Sequence, residues 1–251
     1  MKQRARVVAI IQARMGSSRL PGKVLLPLSG RPVLAHVVKR ARDSGVLDEV
    51  VVATTDAPLD DPVAELASKL GAMVFRGSES DVLSRYAGAA ETFSADIVVR
   101  ITADCPLVDP EVLAEMVVRF QDLRKSDQRA DVLTNARVRS FPRGLDVEIF
   151  TREALNAANA EATAPHQREH VTPFLYENPS RFRIVDQLRE EDASRYRLTL
   201  DTAEDYELLN RIFGARMCSD PSDLRLDGVL DILTMNPTWA SINAHVQQET
   251  V

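Results

Sequence analysis

The sequence predicts an α/β fold: a mainly parallel central sheet covered by helices, with a small mixed, antiparallel insertion. Three observations carry this. From residue 6 to about residue 123, short β-branched runs alternate with longer stretches of helical periodicity, the rhythm of successive βα units. The first run, Arg6-Val-Val-Ala-Ile-Ile11, is apolar at every position after Arg6, as in a parallel strand buried on both faces. After Ala130 the spacing tightens into several strand candidates, which suits antiparallel pairing along one side of the sheet.

In chain order, the first strand runs into a loop from Gln12 to about Gly30. Pro32 then sits where a first helical turn tolerates proline, and Val33, Leu34, Val37, Val38 and Ala41 recur at helical spacing until Gly45 ends the pattern. Glu49 to Thr55 is the second strand, Asp61 to Leu70 a helix closed by Gly71, and Ala72 to Phe75 the third strand. Asp81 to Phe93 reads as helix, Asp96 to Thr102 as the fourth strand, and Pro110 to about Leu123 as helix. In the mixed half, 131–200, the strand candidates are Asp131 to Thr134, Asp146 to Phe150, Phe182 to Val185 and Tyr196 to Leu200. Helical stretches at 152–162 and 166–178 lie between them, and helices near 203–214, 222–235 and 238–248 close the chain. No repeat and no Gly- or Ser-rich linker interrupts the pattern, so residues 1–251 are read as one domain.

Composition narrows the function. No apolar run approaches the roughly 18 to 20 residues of a membrane span, and Arg4 and Arg6 precede too short an apolar stretch for a signal peptide. A cytosolic location is therefore expected. The two cysteines, Cys105 and Cys218, match no disulfide framework or CxxC metal pattern and read as buried small hydrophobes. The net charge of -6 conceals an asymmetry: residues 1–42 contain ten Lys or Arg and no Asp or Glu. An acidic remainder and only 5% aromatic residues argue against an extended nucleic-acid surface. A small polyanion such as a triphosphate fits better.

In an open parallel sheet, ligands bind at the carboxyl ends of the strands, and the loop after the first strand is the usual phosphate site. Arg14, Arg19 and Lys23 lie in that loop, while Gly16, Ser17, Ser18 and Gly22 let the backbone approach an anion closely. The loop is not a Walker A sequence, because five residues separate Gly16 from Gly22 and Lys23 is followed by Val24. It is not GxGxxG either.

The segment Ile11-Gln-Ala-Arg-Met-Gly-Ser-Ser-Arg-Leu-Pro-Gly-Lys23, with the turn Gly30-Arg-Pro-Val-Leu34, resembles the opening signature of the cytidylyltransferases that activate 3-deoxy-2-keto sugar acids. Within that group the likeness is to the spore-coat polysaccharide cytidylyltransferase-like family, related to the CMP-Kdo and CMP-sialate synthetases. It continues through Val52-Ala-Thr-Thr-Asp56, Phe75-Arg-Gly-Ser78, Arg100-Ile-Thr-Ala-Asp-Cys-Pro-Leu107, Gly144-Leu-Asp-Val-Glu148, Arg168-Glu-His-Val-Thr-Pro173 and Leu198-Thr-Leu-Asp-Thr-Ala-Glu-Asp205. The resemblance covers about residues 6–213. It implies a Rossmann-like, GT-A-type nucleotidyltransferase fold, a divalent metal and a homodimer.

On this resemblance, Arg14, Arg19 and Lys23 stabilise a pyrophosphate leaving group, and Asp104 and Asp201 hold Mg²⁺. From spacing alone, each aspartate has a second reading: Asp104 as a cap or turn residue before Pro106, Asp201 as the N-cap of a helix opening Asp201-Thr-Ala-Glu204. Nucleotide contacts are expected from Gln12, Ala13, Gly16, Ser17, Ser18 and Thr102. Position after the third strand adds Arg76, Ser78 and Asp81, with Arg76 readable equally as a solvated turn residue. The resemblance also implies that backbone near Ala13 and Arg14 reads cytosine. Kdo-specific relatives carry a Gly-Thr-Asp-Arg-containing segment in place of 76–81 and Gln in place of Thr102, which argues against Kdo as the acceptor.

The mixed half is expected to hold the acceptor, with Arg143 for a carboxylate and Asp146, Glu148, Glu169 and His170 for hydroxyls. His166 and His170 are spaced like a metal pair, but His166-Gln-Arg-Glu-His170 departs from HExxH at its second position. The expected reaction is attack of a sugar-acid hydroxyl on the α-phosphorus of CTP, forming a CMP-sugar. A glycosyltransferase of the same fold and a non-catalytic nucleotide-binding relative are the alternatives; the chain contains no Asp-x-Asp motif, which counts against the first.

Overall fold

The structure, a computed structural model, describes residues 4–127, 129–215 and 224–247. Nine strands and nine α-helices alternate along these residues. Seven of the strands form one sheet, in the order β5-β4-β1-β6-β8-β7-β9. Here β1 is Val7–Gln12, β4 Glu49–Thr55, β5 Met73–Gly77, β6 Ile97–Thr102, β7 Val132–Thr134, β8 Glu148–Thr151 and β9 Ile184–Asp186. β5, β4, β1 and β6 run parallel. β8 pairs antiparallel with β6 and with β7, and β9 pairs parallel with β7. The parallel half and the mixed half are thus placed as the alternation and the change after Ala130 predict.

β1 is the axis of the sheet. Val7 to Ile11 are wholly buried, because successive side chains leave on opposite faces and both faces are covered. Val7, Ala9 and Ile11 pack with Leu34, Val37, Val38, Val63, Leu113 and Phe120 on one face, which comprises α1 (Val33–Asp43), α2 (Asp61–Lys69) and α4 (Pro110–Lys125). Val8 and Ile10 pack on the other with Leu83, Tyr86, Leu155 and Leu175, from α3 (Val82–Thr92), α5 (Arg152–Glu161) and α7 (Pro173–Glu177). A third cluster ties α8 (Ala203–Gly214) and α9 (Leu226–Met235) to Leu28, Val33, Leu145, Leu198 and Leu200.

Several expectations are corrected. Tyr196 to Leu200 is not a strand: a single parallel bridge joins Arg197 to Arg143, because Leu198 and Leu200 are buried by α8 and α9 rather than by a sheet. The helix expected over 166–178 is two, α6 (Pro165–His170) and α7, parted at Val171. Val171 has φ 72° and ψ −56°, and the Thr172 N–H donates to the His170 carbonyl at 2.9 Å, a rare three-residue γ-turn. Pro173, which has no N–H, stands in the first turn of α7, where no intrahelical donor is needed. Of the helix expected over 238–248, one 3-10 turn at Trp239–Ser241 forms among the described residues. Position 248, Cys218 and the first two residues of the 222–235 segment lie outside them. The loop 12–30 conceals a hairpin of β2 (Pro27–Leu28) and β3 (Arg31–Pro32). Its turn residues, Ser29 and Gly30, both have positive φ, as a two-residue type I′ turn requires. Among the described residues no helix is long and apolar enough to cross a membrane.

Candidate active site

The parallel strands β1 and β6 end side by side, Gln12 opposite Thr102, and the loop after β1 folds back over this edge. Gly22, at φ 68°, turns the chain into a 3-10 turn over Lys23–Leu25. That turn aims Lys23 at the end of β6. Its Nζ donates to Asp104 Oδ2 at 2.6 Å and to Asp201 Oδ1 at 2.7 Å.

The two aspartates meet because the segment preceding Asp201 bonds to the turn after β6: the Leu200 N–H donates to the Asp104 carbonyl at 2.8 Å. Neither carboxylate caps a helix. Asp109 caps α4, accepting from the N–H groups of Glu111 and Val112 at 2.7 and 3.2 Å. Thr202 caps α8 in a capping box with Asp205. The box begins one residue later than the sequence pattern suggests, which leaves the Asp201 side chain to the site. Asp201 Oδ2 also accepts from Arg197 at 2.6 Å and lies 3.2 Å from Arg19.

Burial disfavours charge on these groups, and their mutual attraction overrides it. Desolvation pushes Asp104 up, yet the adjacent Lys23 ammonium holds its carboxyl below the ordinary 3.8. Desolvation pulls Lys23 down, yet Asp104 and Asp201 together raise it above 10.5. The burial of the Cys105 thiol, beside Asp104, raises it well above 9.0, so it is a protonated wall residue and not a nucleophile.

Two cavities open on this cluster. The smaller, about 220 Å³, is lined by Gln12, Ala13, Arg14, Gly16, Ser17, Ser18, Arg19 and Lys23 from the loop, with Thr102 opposite. The larger, about 890 Å³, is lined by Arg143, Asp146 and Glu148 from the mixed half. Gln12, Thr102, Asp104, Glu169, His170 and Asp201 line both. The expected phosphate-loop residues and the expected acceptor residues therefore face separate spaces with one common rim.

Three expected nucleotide residues do not enter the smaller cavity. Arg76 donates to the carbonyls of Thr55 and Ala57 at 2.8 and 2.9 Å and pairs with Asp61 at 2.7 Å, which fastens the loop after β4. The Ser78 hydroxyl accepts from the Asp81 N–H at 3.2 Å. Asp81 caps α3, accepting from the Ser84 N–H at 2.9 Å, and pairs with Arg168 of α6. All three shape the frame because their polar atoms already have protein partners. Glu148 also has protein partners. Its carboxylate, in the lining of the larger cavity, accepts from Arg100, Thr172 and Tyr176. Its role in the wall is to hold those donors in place.

The tie between Asp81 and Arg168 fixes α6 and with it Glu169 and His170 at the rim. Burial raises the Asp81 carboxyl, and Arg168 and the Ser84 N–H outweigh it, so its value falls below 3.8. A depressed carboxyl contributes stability above its unfolded value and loses it as pH falls through the folded one. Asp81→Ala should therefore lower thermal stability at neutral pH, by about 1 kcal/mol for a lost cap. Melting curves of the two proteins should converge as pH drops well below 3.8; a constant difference down to full acid unfolding contradicts this account.

The pattern of loops and motifs did not single out Arg85, Arg100, Arg139 or Tyr176, which line the cavities. A signal was present for Arg100: it is a cation in a strand whose neighbours are all apolar, and it faces Glu148 across β6 and β8.

Among the described residues no three His, Cys, Asp or Glu side chains gather into a metal-binding group. The donor set nevertheless fits a magnesium-like cation. Asp104 and Asp201 converge on one ammonium at the cavity rim, and such a cation takes one or two carboxylates, drawing its remaining ligands from phosphate and water.

Two cavities that share a rim of carboxylates, one walled by a cationic loop at the end of the first strand, suit an enzyme that brings a triphosphate to a second substrate. The protein is a nucleotidyltransferase. The cytidylyltransferase family model matches residues 8–226, and the chain belongs to that family. A solved cytidylyltransferase from Leptospira borgpetersenii superposes with a TM-score of 0.88 at 38% identity, covering 98% of this chain and 100% of that one. The chain is 34% identical over 242 residues to the spore coat polysaccharide biosynthesis protein SpsF of Bacillus subtilis, covering 94% of this chain and 97% of that protein. It is 33% identical over 180 residues to a 3-deoxy-manno-octulosonate cytidylyltransferase of Anaeromyxobacter dehalogenans, covering 68% and 73% respectively.

Proposed function

We propose that this cytidylyltransferase transfers CMP from CTP to a hydroxyl of a sugar acid of the nonulosonate type, releasing pyrophosphate. The observation that carries the reading is the common rim: the loop cavity and the acceptor cavity meet at Asp104 and Asp201. Arg14, Arg19 and Lys23 bind the phosphates and offset charge on the departing pyrophosphate. Arg143, fixed through its backbone to Tyr196 and Leu198, lines the larger cavity, where a guanidinium suits a carboxylate. Asp146, held by Arg139 at 2.8 Å, keeps one oxygen toward a hydroxyl. The acceptor oxygen bonds to the α-phosphorus as the bond to the bridging oxygen of pyrophosphate breaks, and the hydroxyl proton passes to solvent.

Asp104 and Asp201 would hold Mg²⁺, which when bound supplies charge neutralisation at the α-phosphate and acidifies the attacking hydroxyl. The names of the Bacillus and Anaeromyxobacter relatives support a polysaccharide role and a sugar-acid acceptor for this chain. We place the enzyme in the cytoplasm as a homodimer, feeding a CMP-activated, sialic acid-like sugar to surface polysaccharide or glycoconjugate synthesis.

The test is thermal-shift binding of CTP, UTP, GTP and ATP with Mg²⁺, followed by pyrophosphate release with CTP and a panel of eight- and nine-carbon sugar acids. Selective stabilisation by CTP is expected, with release that a chelator abolishes and Mg²⁺ restores. Selective stabilisation by another triphosphate, or no release with any acid in the panel, overturns the reading.

A further inference from the structure

The smaller cavity contains a cation that its loop does not supply. Arg85, on α3, is 2% exposed and lines the cavity beside Val82, one helical turn earlier. No ion pair engages it among the described residues. One Nη1 donates to the Ser78 carbonyl at 2.8 Å, and Nε is buried without a partner. A buried guanidinium carries five N–H groups and no acceptor, and leaving them unsatisfied costs far more than pairing them. Such a group implies a ligand that brings acceptors to it.

Arg14, Arg19 and Lys23 reach the cavity from the loop, whereas Arg85 enters it from α3, with Val82, Ala13 and Ala103 also in the lining. Apolar contact plus a fixed fork of donors suits a flat ring with two adjacent acceptors. Cytosine presents such an edge in O2 and N3, both acceptors; uracil presents O2 and an N3–H donor, which a guanidinium repels.

We propose that Arg85 reads the acceptor edge of the pyrimidine and is a specificity-determining residue for cytidine over uridine nucleotides. The inference rests on the nucleotidyl-transfer reading above and adds the group that selects the base.

The test is calorimetric binding of CTP, UTP and inorganic tripolyphosphate, with Mg²⁺, to the full-length protein and to two variants. Arg85→Met removes the donors but keeps an unbranched apolar stem; Arg85→Lys keeps the charge without the fork. For both, the CTP Kd should rise about tenfold or more, the scale of hydrogen bonds lost to a charged group. UTP should change little, so that the preference collapses. Tripolyphosphate affinity should stay within about twofold, since its sites are in the loop. A parallel loss of all three ligands makes Arg85 a phosphate anchor and overturns the proposal. Retained preference for CTP in the variants makes it a strut for Ser78 and overturns it equally. If Arg85→Met fails to fold by circular dichroism, Arg85→Lys decides on the same criteria. Should the wild-type protein itself not prefer CTP, the cytidylyl reading is what fails, a result visible before any variant is made.

Discussion

Asp104→Asn and Asp201→Asn should each lower CTP-dependent pyrophosphate release by about 10²-fold or more, the usual cost of removing one charge-organising group from a catalytic site. Both variants keep the size of the side chain, so the backbone bond from Leu200 to the Asp104 carbonyl and the capping box of Thr202 and Asp205 survive. Melting temperatures should therefore move little. What changes is the charge balance around Lys23, which now meets one carboxylate in place of two. The double variant should cost little more than either single one, because groups that act as a unit are strongly non-additive. Steady-state turnover of the three variants checks this. Full activity in a single variant would remove that carboxylate from the chemistry.

Gly144→Ala should be the most disruptive single-methyl change in the acceptor wall. Gly144 has φ 102°, and a Cβ there would overlap the backbone of Leu198 and Thr199, reaching 2.6 Å from the Leu198 carbonyl oxygen. Backbone cannot give way as a side-chain tip can. The segments are also bonded together on both sides of the contact: the Arg143 N–H donates to the Tyr196 carbonyl at 3.0 Å, and the Leu198 N–H to the Arg143 carbonyl at 2.6 Å. Accommodating the methyl group means parting them, which moves Arg143 on one side and the approach to Asp201 on the other. A left-handed backbone strained by a side chain and a core contact overfilled together cost about 3 kcal/mol or more. For a chain of this size that is a fall in Tm of roughly 6–12 °C. Gly228→Ala is the control: Gly228 lies inside α9 with nothing within 4 Å of its Cβ position, and it should stabilise by about 0.5–1 kcal/mol. Equal melting temperatures for Gly144→Ala and wild type would show that the two segments are not held as described.

The parallel half of the fold was legible because its signals are local. The run of apolar residues at 7–11, the Pro and Gly positions that open and close α1 and α2, and the change of spacing after Ala130 each act within a few residues. The gathering of the loop's cations at one cavity was legible for the same reason, because they are close in sequence. Elements whose character comes from distant partners were not. Tyr196 to Leu200 has the alternation of a strand, but its leucines are claimed by α8 and α9. The Ser29-Gly30 turn was readable in principle, as two residues suited to positive φ, but the strands beside it are two residues each, too short to show a period.

The site divides along the same line. Arg76, Ser78 and Asp81 follow a strand at the ligand-binding edge, which marks them as ligand contacts in the sequence, and each has a local protein partner in the fold. Arg85 carries no such mark in the sequence, because a cation on an amphipathic helix ordinarily faces water. Only the packing of α3 against β4 and β5 shows that it faces inward. Glu148 illustrates the converse: its charge marked it as a ligand, and its pairing with Arg100 comes from strand register, which no spacing within one strand reveals.

The rim shared by Gln12, Thr102, Asp104, Glu169, His170 and Asp201 has a consequence for order in time. Under the proposed assignment, a nucleotide seated in the smaller cavity becomes part of the wall of the larger one, so the surface an acceptor meets is built jointly by protein and donor, and recognition of the second substrate is conditional on the first. A loop that does not touch the acceptor contributes to its selection by deciding which nucleotide completes the mould.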